Sequence, residues 1–299
     1  MKCPLCDSTR VSQKPCRFKE MMVCGACGFI FVPSSTDSSA PGLYDEDWSR
    51  TEVHPTFIYS HGQYTVRNEW RLQALLDRLE PFRKTNRLLD VGCSAAFFLK
   101  LARDRKWDVQ GVEVSDFGVK FSREELNIPV FQGLLQDAHF PGGSFDAVFS
   151  SHVIEHVGEP VALLKEMSRI LRPGGALITV LPTQFASPSY RCFRKWSGEG
   201  PPRHVSYFTK RVFENRLRQL GFSVHFSRQN VELQKVLSIL LRRHDSFGAT
   251  GVVQSSASTQ ESTSPFVRVV KSAVNLAATG FGVGDELTTI AVKNSTPTH

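Results

Sequence analysis

Between Arg87 and Leu181 the chain alternates short apolar runs with amphipathic stretches, and this alternation leaves few folds open. Arg87–Gly92 (RLLDVG), Asp108–Glu113 (DVQGVE), Pro129–Phe131, Ser144–Ser150 (SFDAVFS) and Ala176–Leu181 read as strands. Ala95–Lys106, Asp116–Leu126 and Val161–Leu171 read as helices, the last opened by Pro160 and ended by Arg172-Pro173-Gly174-Gly175. Repeated strand–helix units bury their apolar faces as a parallel sheet with helices on both sides. A helix at Phe208–Leu220 and strands at Phe222–Ser227 and Glu286–Val292 follow. The expectation is an α/β domain over residues 86–293, doubly wound, with a mostly parallel sheet of seven strands.

The first 32 residues follow another rule. They hold five of the seven cysteines, and Cys3-Pro4-Leu5-Cys6 and Cys24-Gly25-Ala26-Cys27 form two C-x-x-C knuckles. Two facing knuckles make the four-thiolate cage that zinc prefers, so residues 1–32 are expected to be a zinc ribbon, with Cys3, Cys6, Cys24 and Cys27 as structural zinc ligands. Cys16, Cys93 and Cys192 are left over. The chain starts MKCPLCDSTR, with no apolar signal core, and no run approaches the ~20 apolar residues of a membrane span. The expected location is the cytoplasm, where clustered thiols meet metal before disulfides.

Residues 33–85 are read as linker and N-terminal helical lid: PSSTDSSAPG comes first, and Tyr64 to Leu79 repeats apolar residues at helical spacing before Pro81. A helical or mobile insertion is expected at 229–283. It contains amphipathic Val231–Arg243 and Phe266–Ala278 around the Ser- and Thr-rich stretch Ser246–Ser264.

Candidate chemistry starts at LLDVGCSAAFFL, where a strand, a tight turn and a helix start can present backbone amides to a ligand. Glu113, twenty-one residues after Gly92, is placed to accept from ribose hydroxyls. The run Gly143-Ser144-Phe145-Asp146-Ala147-Val148-Phe149, then His152-Val153-Ile154-Glu155-His156-Val157, then Leu171-Arg172-Pro173-Gly174-Gly175, resembles the class I S-adenosylmethionine (SAM) dependent methyltransferase family. Pro201-Pro202-Arg203-His204-Val205-Ser206-Tyr207-Phe208-Thr209 is similar to a segment of family members that modify sugars, lipids and small metabolites. The resemblance implies that Asp90 and Gly92 hold the methionine end of SAM and that Glu113 binds the ribose, with Val114, Leu135 and Gln136 around the adenine. Ser94 belongs to the same cofactor loop, and Ser151 and His152 would lie beside the sulfonium. Ser94 and Ala96 stand where the family usually has its second and third glycines.

His204 is the candidate base for a hydroxyl acceptor, and His152 is the other candidate catalytic residue. His152-x-x-Glu155-His156 also matches a zinc-peptidase pattern, which needs both histidines on one helix face. The net charge is +7, and Arg191 to Arg218 holds eight basic residues against two acids. That excess suits an anionic small-molecule acceptor, phosphate-bearing or lipid-linked, such as a nucleotide-linked sugar or a lipid-linked glycan, with peripheral membrane contact. The alternatives are a ribosomal RNA methyltransferase, for which nucleic acid would be the partner, and a non-catalytic SAM-fold scaffold.

Overall fold

The computed structural model describes residues 1–16, 18, 20–33, 57–60, 63–66, 69–193, 200–231, 276 and 280–295. Ser246–Ser264 and most of the two amphipathic stretches around it lie outside the described residues.

Seven strands form one sheet: β6 (Arg87–Val91), β7 (Asp108–Glu113), β8 (Val130–Gln132), β9 (Phe145–Ser151), β10 (Leu171–Pro182), β12 (Phe222–Asn230) and β13 (Glu286–Lys293). Their order is β12-β13-β10-β9-β6-β7-β8. The pairs β10–β9, β9–β6, β6–β7 and β7–β8 are parallel, and β13 runs antiparallel to both its neighbours. Among the described residues the sheet is accompanied by helices α1 (Glu69–Leu79), α2 (Phe97–Asp104), α3 (Asp116–Glu124), α4 (Pro160–Ile170), α5 (Pro188–Phe193) and α6 (Lys210–Gln219). Leu88, Leu89, Ala147, Val148, Leu177 and Ile178 are fully buried, as adjacent residues on two-sided strands must be. The doubly wound reading holds.

Boundaries moved where local chemistry outweighed periodicity. The helix expected from Phe208 starts at Lys210, because the Thr209 hydroxyl accepts from the Val212 amide and caps it. The expected helix over Tyr64–Leu79 shortens to α1. Gln63–Val66 (β5) instead pairs antiparallel with Phe57–Ser60 (β4) in the register Ser60↔Gln63, consistent with the aromatic and β-branched residues of both runs. Among the described residues no helix is long and apolar enough to cross a membrane.

The start of β9 is anchored by Asp146, which is fully buried. One carboxylate oxygen accepts from the amides of Lys84, Thr85 and Asn86 at 2.8, 2.6 and 2.6 Å, and the other from the Arg172 guanidinium at 2.5 Å. Burial alone would raise the Asp146 pKa, but Arg172 and the three amides outweigh it and hold the carboxyl below its ordinary value.

The cysteine-rich segment is joined to this domain by backbone pairing. Its strands β1 (Val11–Gln13), β2 (Met22–Cys24) and β3 (Ile30–Phe31) form a second sheet with β11 (Ser206–Tyr207), in the order β1-β2-β3-β11. Phe29 meets Phe208 with ring centroids 4.8 Å apart. Cys3, Leu5, Cys24, Phe29 and Phe31 belong to the same apolar core as Phe208 and Phe213.

Candidate functional site

In an open α/β sheet the crevice beyond the carboxyl ends of the strands is where ligands bind. Here β6 ends at Val91 and the chain turns through Gly92, Cys93, Ser94, Ala95 and Ala96 into α2. Gly92, Ser94 and Ala96 all have left-handed backbones, with φ of 74, 48 and 54°. Gly92 has a further reason to be glycine, since a Cβ there would meet Val153 Cγ2 at 2.3 Å. Ser94 and Ala96 carry side chains in a conformation that costs an L-residue roughly 1–2 kcal/mol each. The Ala96 amide donates to the Cys93 carbonyl at 2.8 Å, which closes the turn.

Asp90, on the last turn of strand before this loop, is 3% exposed, and its Oδ1 has no hydrogen-bond partner. Burial, and then the neighbouring Glu113 charge, push its pKa well above the ordinary value. Glu113 ends β7 and is also buried. Its Oε2 accepts from the Ser94 amide at 2.7 Å and its Oε1 from the Val114 and Ser115 amides at 2.8 Å each. Burial raises its pKa more than these amides lower it. A carboxylate has about four acceptor positions, so Glu113 can still receive further donors.

Val114 and Leu134 are exposed apolar side chains just beyond the paired ends of β7 and β8. Gln136 is exposed beside them, whereas Leu135 is 2% exposed and packs in the main core. Sequence pattern alone does not single out Leu134 or Gly118. A Cβ at Gly118 would meet the Ser94 carbonyl at 2.9 Å, so α3 approaches the loop closely. Its signal was only the glycine near a helix start.

Ser151, half-buried, ends β9, and His152 follows with φ of 55° while its amide donates to the Val180 carbonyl at 2.9 Å. The half-exposed His152 ring lies between two acids, with Nδ1 3.2 Å from Glu155 Oε1 and Nε2 3.6 Å from Glu286 Oε2. Burial around the ring favours the neutral form, but the two carboxylates outweigh it and raise the His152 pKa. Glu286 also receives Arg71 of α1 at 2.5 Å and Asn230 Nδ2 at 3.2 Å. Glu155, His156 and the buried His204 bring ligand-type atoms within 4.8 Å of one another. The His156 and His204 rings meet edge to face, centroids 4.7 Å apart. Ile154–His156 is a single 3-10 turn, so the histidines of a peptidase helix are not formed.

The four knuckle cysteines converge. Their sulfurs lie within 4.8 Å of one another, with Cys3 Sγ 3.8 Å from Cys27 Sγ and Cys6 Sγ 3.6 Å from Cys24 Sγ. The knuckles share one backbone design. The Asp7 amide donates to the Cys3 carbonyl at 2.9 Å and the Gly28 amide to the Cys24 carbonyl at 2.8 Å, with φ of 58° at Asp7 and 79° at Gly28. Burial raises the Cys24 thiol, yet the Cys27 and Ala26 amides and the facing thiols bring it down to about 7.

Strand order, with buried acids at the carboxyl ends of β6 and β7, is that of an α/β domain of the methyltransferase type. A family model described as a methyltransferase domain matches residues 63–225, more than half of the 299-residue chain. The chain belongs to this family, and the domain is that of a SAM-dependent methyltransferase. Demethylmenaquinone methyltransferase of Staphylococcus saprophyticus is 25% identical over 169 residues, 51% of this chain and 72% of that protein. Ubiquinone biosynthesis O-methyltransferase of Psychrobacter cryohalolentis is 25% identical over 157 residues, 48% of this chain and 60% of that protein. Among solved structures, the [4+2]-cyclase SpnF is 17% identical with a TM-score of 0.52, covering 87% of this chain and 97% of that one. This last likeness concerns the fold alone, which hosts more than one reaction.

Proposed function

We propose that this chain transfers the methyl group of SAM to a small-molecule acceptor, with the cofactor in the crevice beyond β6 and β7. The observation that carries the reading is the orphaned oxygen of buried Asp90 beside Glu113. A buried carboxylate oxygen without a donor costs about 1–3 kcal/mol, and the ammonium of a methionine moiety would satisfy it. Glu113 would take the ribose hydroxyls, and Ser94 and Gly92 would let backbone approach the ligand. Val114 and Leu134 would cover the adenine, with Gln136 at its edge and Leu135 supporting from the core.

When bound, SAM supplies a carbon activated by a sulfonium, and the protein's task is to aim an acceptor at it in line. Ser151 and His152 lie at the end of β9, where the acceptor would arrive. His152, with both ring nitrogens facing the carboxylates of Glu155 and Glu286, retains its proton near neutral pH and so would present a held charge, not a base, to the acceptor. His204, buried with its ring within 4.8 Å of the Glu155 carboxylate and of His156, would be the base for an acceptor hydroxyl. The acceptor class is small molecules: quinone-type rings in view of the relatives' names, with nucleotide-linked sugars and lipid-linked glycans in view of the basic run. Labelled SAM offered with each of these, and with ribosomal RNA, tests the assignment. Label in RNA alone overturns it.

The cysteine cluster fits structural zinc. Zinc–sulfur bonds of about 2.3 Å place tetrahedral sulfurs about 3.8 Å apart, close to the two short separations here. Cys3, Cys6, Cys24 and Cys27 would hold the ion, and metal analysis should find one zinc per chain.

A further inference from the structure

The cysteine module reaches the acceptor side of the crevice through an unbroken run of backbone hydrogen bonds. The Cys24 amide donates to the Phe29 carbonyl at 2.9 Å, at the mouth of β3. Ile30 and Phe31 pair with Tyr207 and Ser206. The Val32 amide then donates to the Val205 carbonyl at 2.8 Å, and the Val205 amide donates to the Glu155 carbonyl at 2.9 Å. Two further bonds tie the same two segments. The Ser206 hydroxyl donates to the Val157 carbonyl at 2.8 Å, and His156 Nδ1 lies 3.1 Å from the Arg203 carbonyl.

We infer that the cysteine module is the positioning support of the acceptor-side wall: through β3 and β11 it fixes Glu155, His156 and His204 relative to the SAM crevice. The inference rests on the zinc reading above. Segment 203–207 has only the two-residue strand β11 of its own, and that strand's sheet partner is β3. Loop 153–157 has only a single 3-10 turn, capped on its outer side by segment 203–207. Isolated pieces this short do not hold a conformation, so their order comes from what they pair with. The module in turn has too few residues for a core of its own and takes its rigidity from the ion. The SAM side differs, because Asp90 and Glu113 stand on central strands β6 and β7, each paired on both sides within the main sheet, and only the loop at Gly92 packs against Val153.

Two variants of the full chain test the coupling. Cys24→Ser removes a zinc ligand. Val32→Pro removes the donor to Val205 but keeps all four thiols, and the strand backbone before it is one that proline accepts. Amide exchange, zinc content and SAM affinity by calorimetry are read together. In both variants, exchange at His156, Val157 and Val205 should rise by about tenfold, the worth of roughly one backbone hydrogen bond, while SAM affinity stays the same. Val32→Pro should keep its zinc. Faster exchange confined to residues 1–32 in both variants overturns the inference, as does loss of SAM binding together with the wall. Wild-type protein without zinc would overturn the metal reading alone, since Val32→Pro still tests the backbone path.

Discussion

Two buried aspartates on neighbouring strands of one sheet have opposite surroundings. Asp146, at the amino end of β9, has four donors from two chain segments. Asp90, at the carboxyl end of β6, has an oxygen with none, and a second acid nearby. The first arrangement lowers the carboxyl pKa and ties the sheet to the chain entering it. The second raises the pKa and leaves an unmet demand for a cation. Residue type and burial are alike in the two, so satisfaction by protein donors separates the structural acid from the ligand-ready one.

The largest expected effect lies on the structural side. Asp146→Ala strands three amides and the Arg172 guanidinium, and should cost about 3 kcal/mol of stability. Urea unfolding with an unchanged slope measures it, and a loss below about 1 kcal/mol would erase the contrast. Glu113→Ala removes a charged acceptor from the proposed ribose site. SAM affinity should fall by roughly ten- to a hundredfold, or about 1.5–3 kcal/mol, with an unaltered fold by circular dichroism.

The contrast also has a pH signature. Asp146 has a depressed folded pKa, so its stabilisation is full above the unfolded aspartate value and is lost as pH falls through the folded one. Asp90 has a raised folded pKa, so its ionisation in the free protein opposes folding as pH rises toward that value. Asp146→Asn should therefore flatten the acid limb of the stability profile below about pH 4. Asp90→Asn should leave that limb intact.

The smallest effect concerns the loop. Ala96 adopts the left-handed conformation, so Ala96→Gly relieves about 1 kcal/mol of strain, partly offset by glycine's greater freedom when unfolded. Thermal melts should show a net change within about 1 kcal/mol, and a clear loss of stability would mean that the buried methyl matters more than the strain.

Much of this was legible in the sequence because it is local. Strand–helix alternation gave all seven strands of the main sheet, and the placement of Asp90 and Glu113 at strand ends follows from the apolar runs before them. The cysteine spacing foretold a convergence that the four sulfurs show. What was hidden is non-local or backbone-borne. Nothing in SFDAVFS announces that Asp146 will meet the amides of residues 84–86, and nothing in Ser206-Tyr207 announces a partner in Ile30-Phe31. Ser94 and Ala96 concealed a loop with three left-handed residues, since those residue types usually avoid it. Tyr64–Val66 read as helix because the apolar spacing of a short hairpin strand fits both periods.

The most direct test of the account is SAM binding by calorimetry, with thermal melts, on wild type and Asp90→Asn. The account predicts that Asp90→Asn melts at or above the wild-type temperature without ligand, because a neutral amide is easier to bury than an unpaired carboxylate. It also predicts at least tenfold weaker SAM binding, or about 1.4 kcal/mol, because the amide cannot pair with the cofactor's ammonium. Unchanged SAM affinity, or a melting temperature lowered as far as in Asp146→Ala, would contradict it.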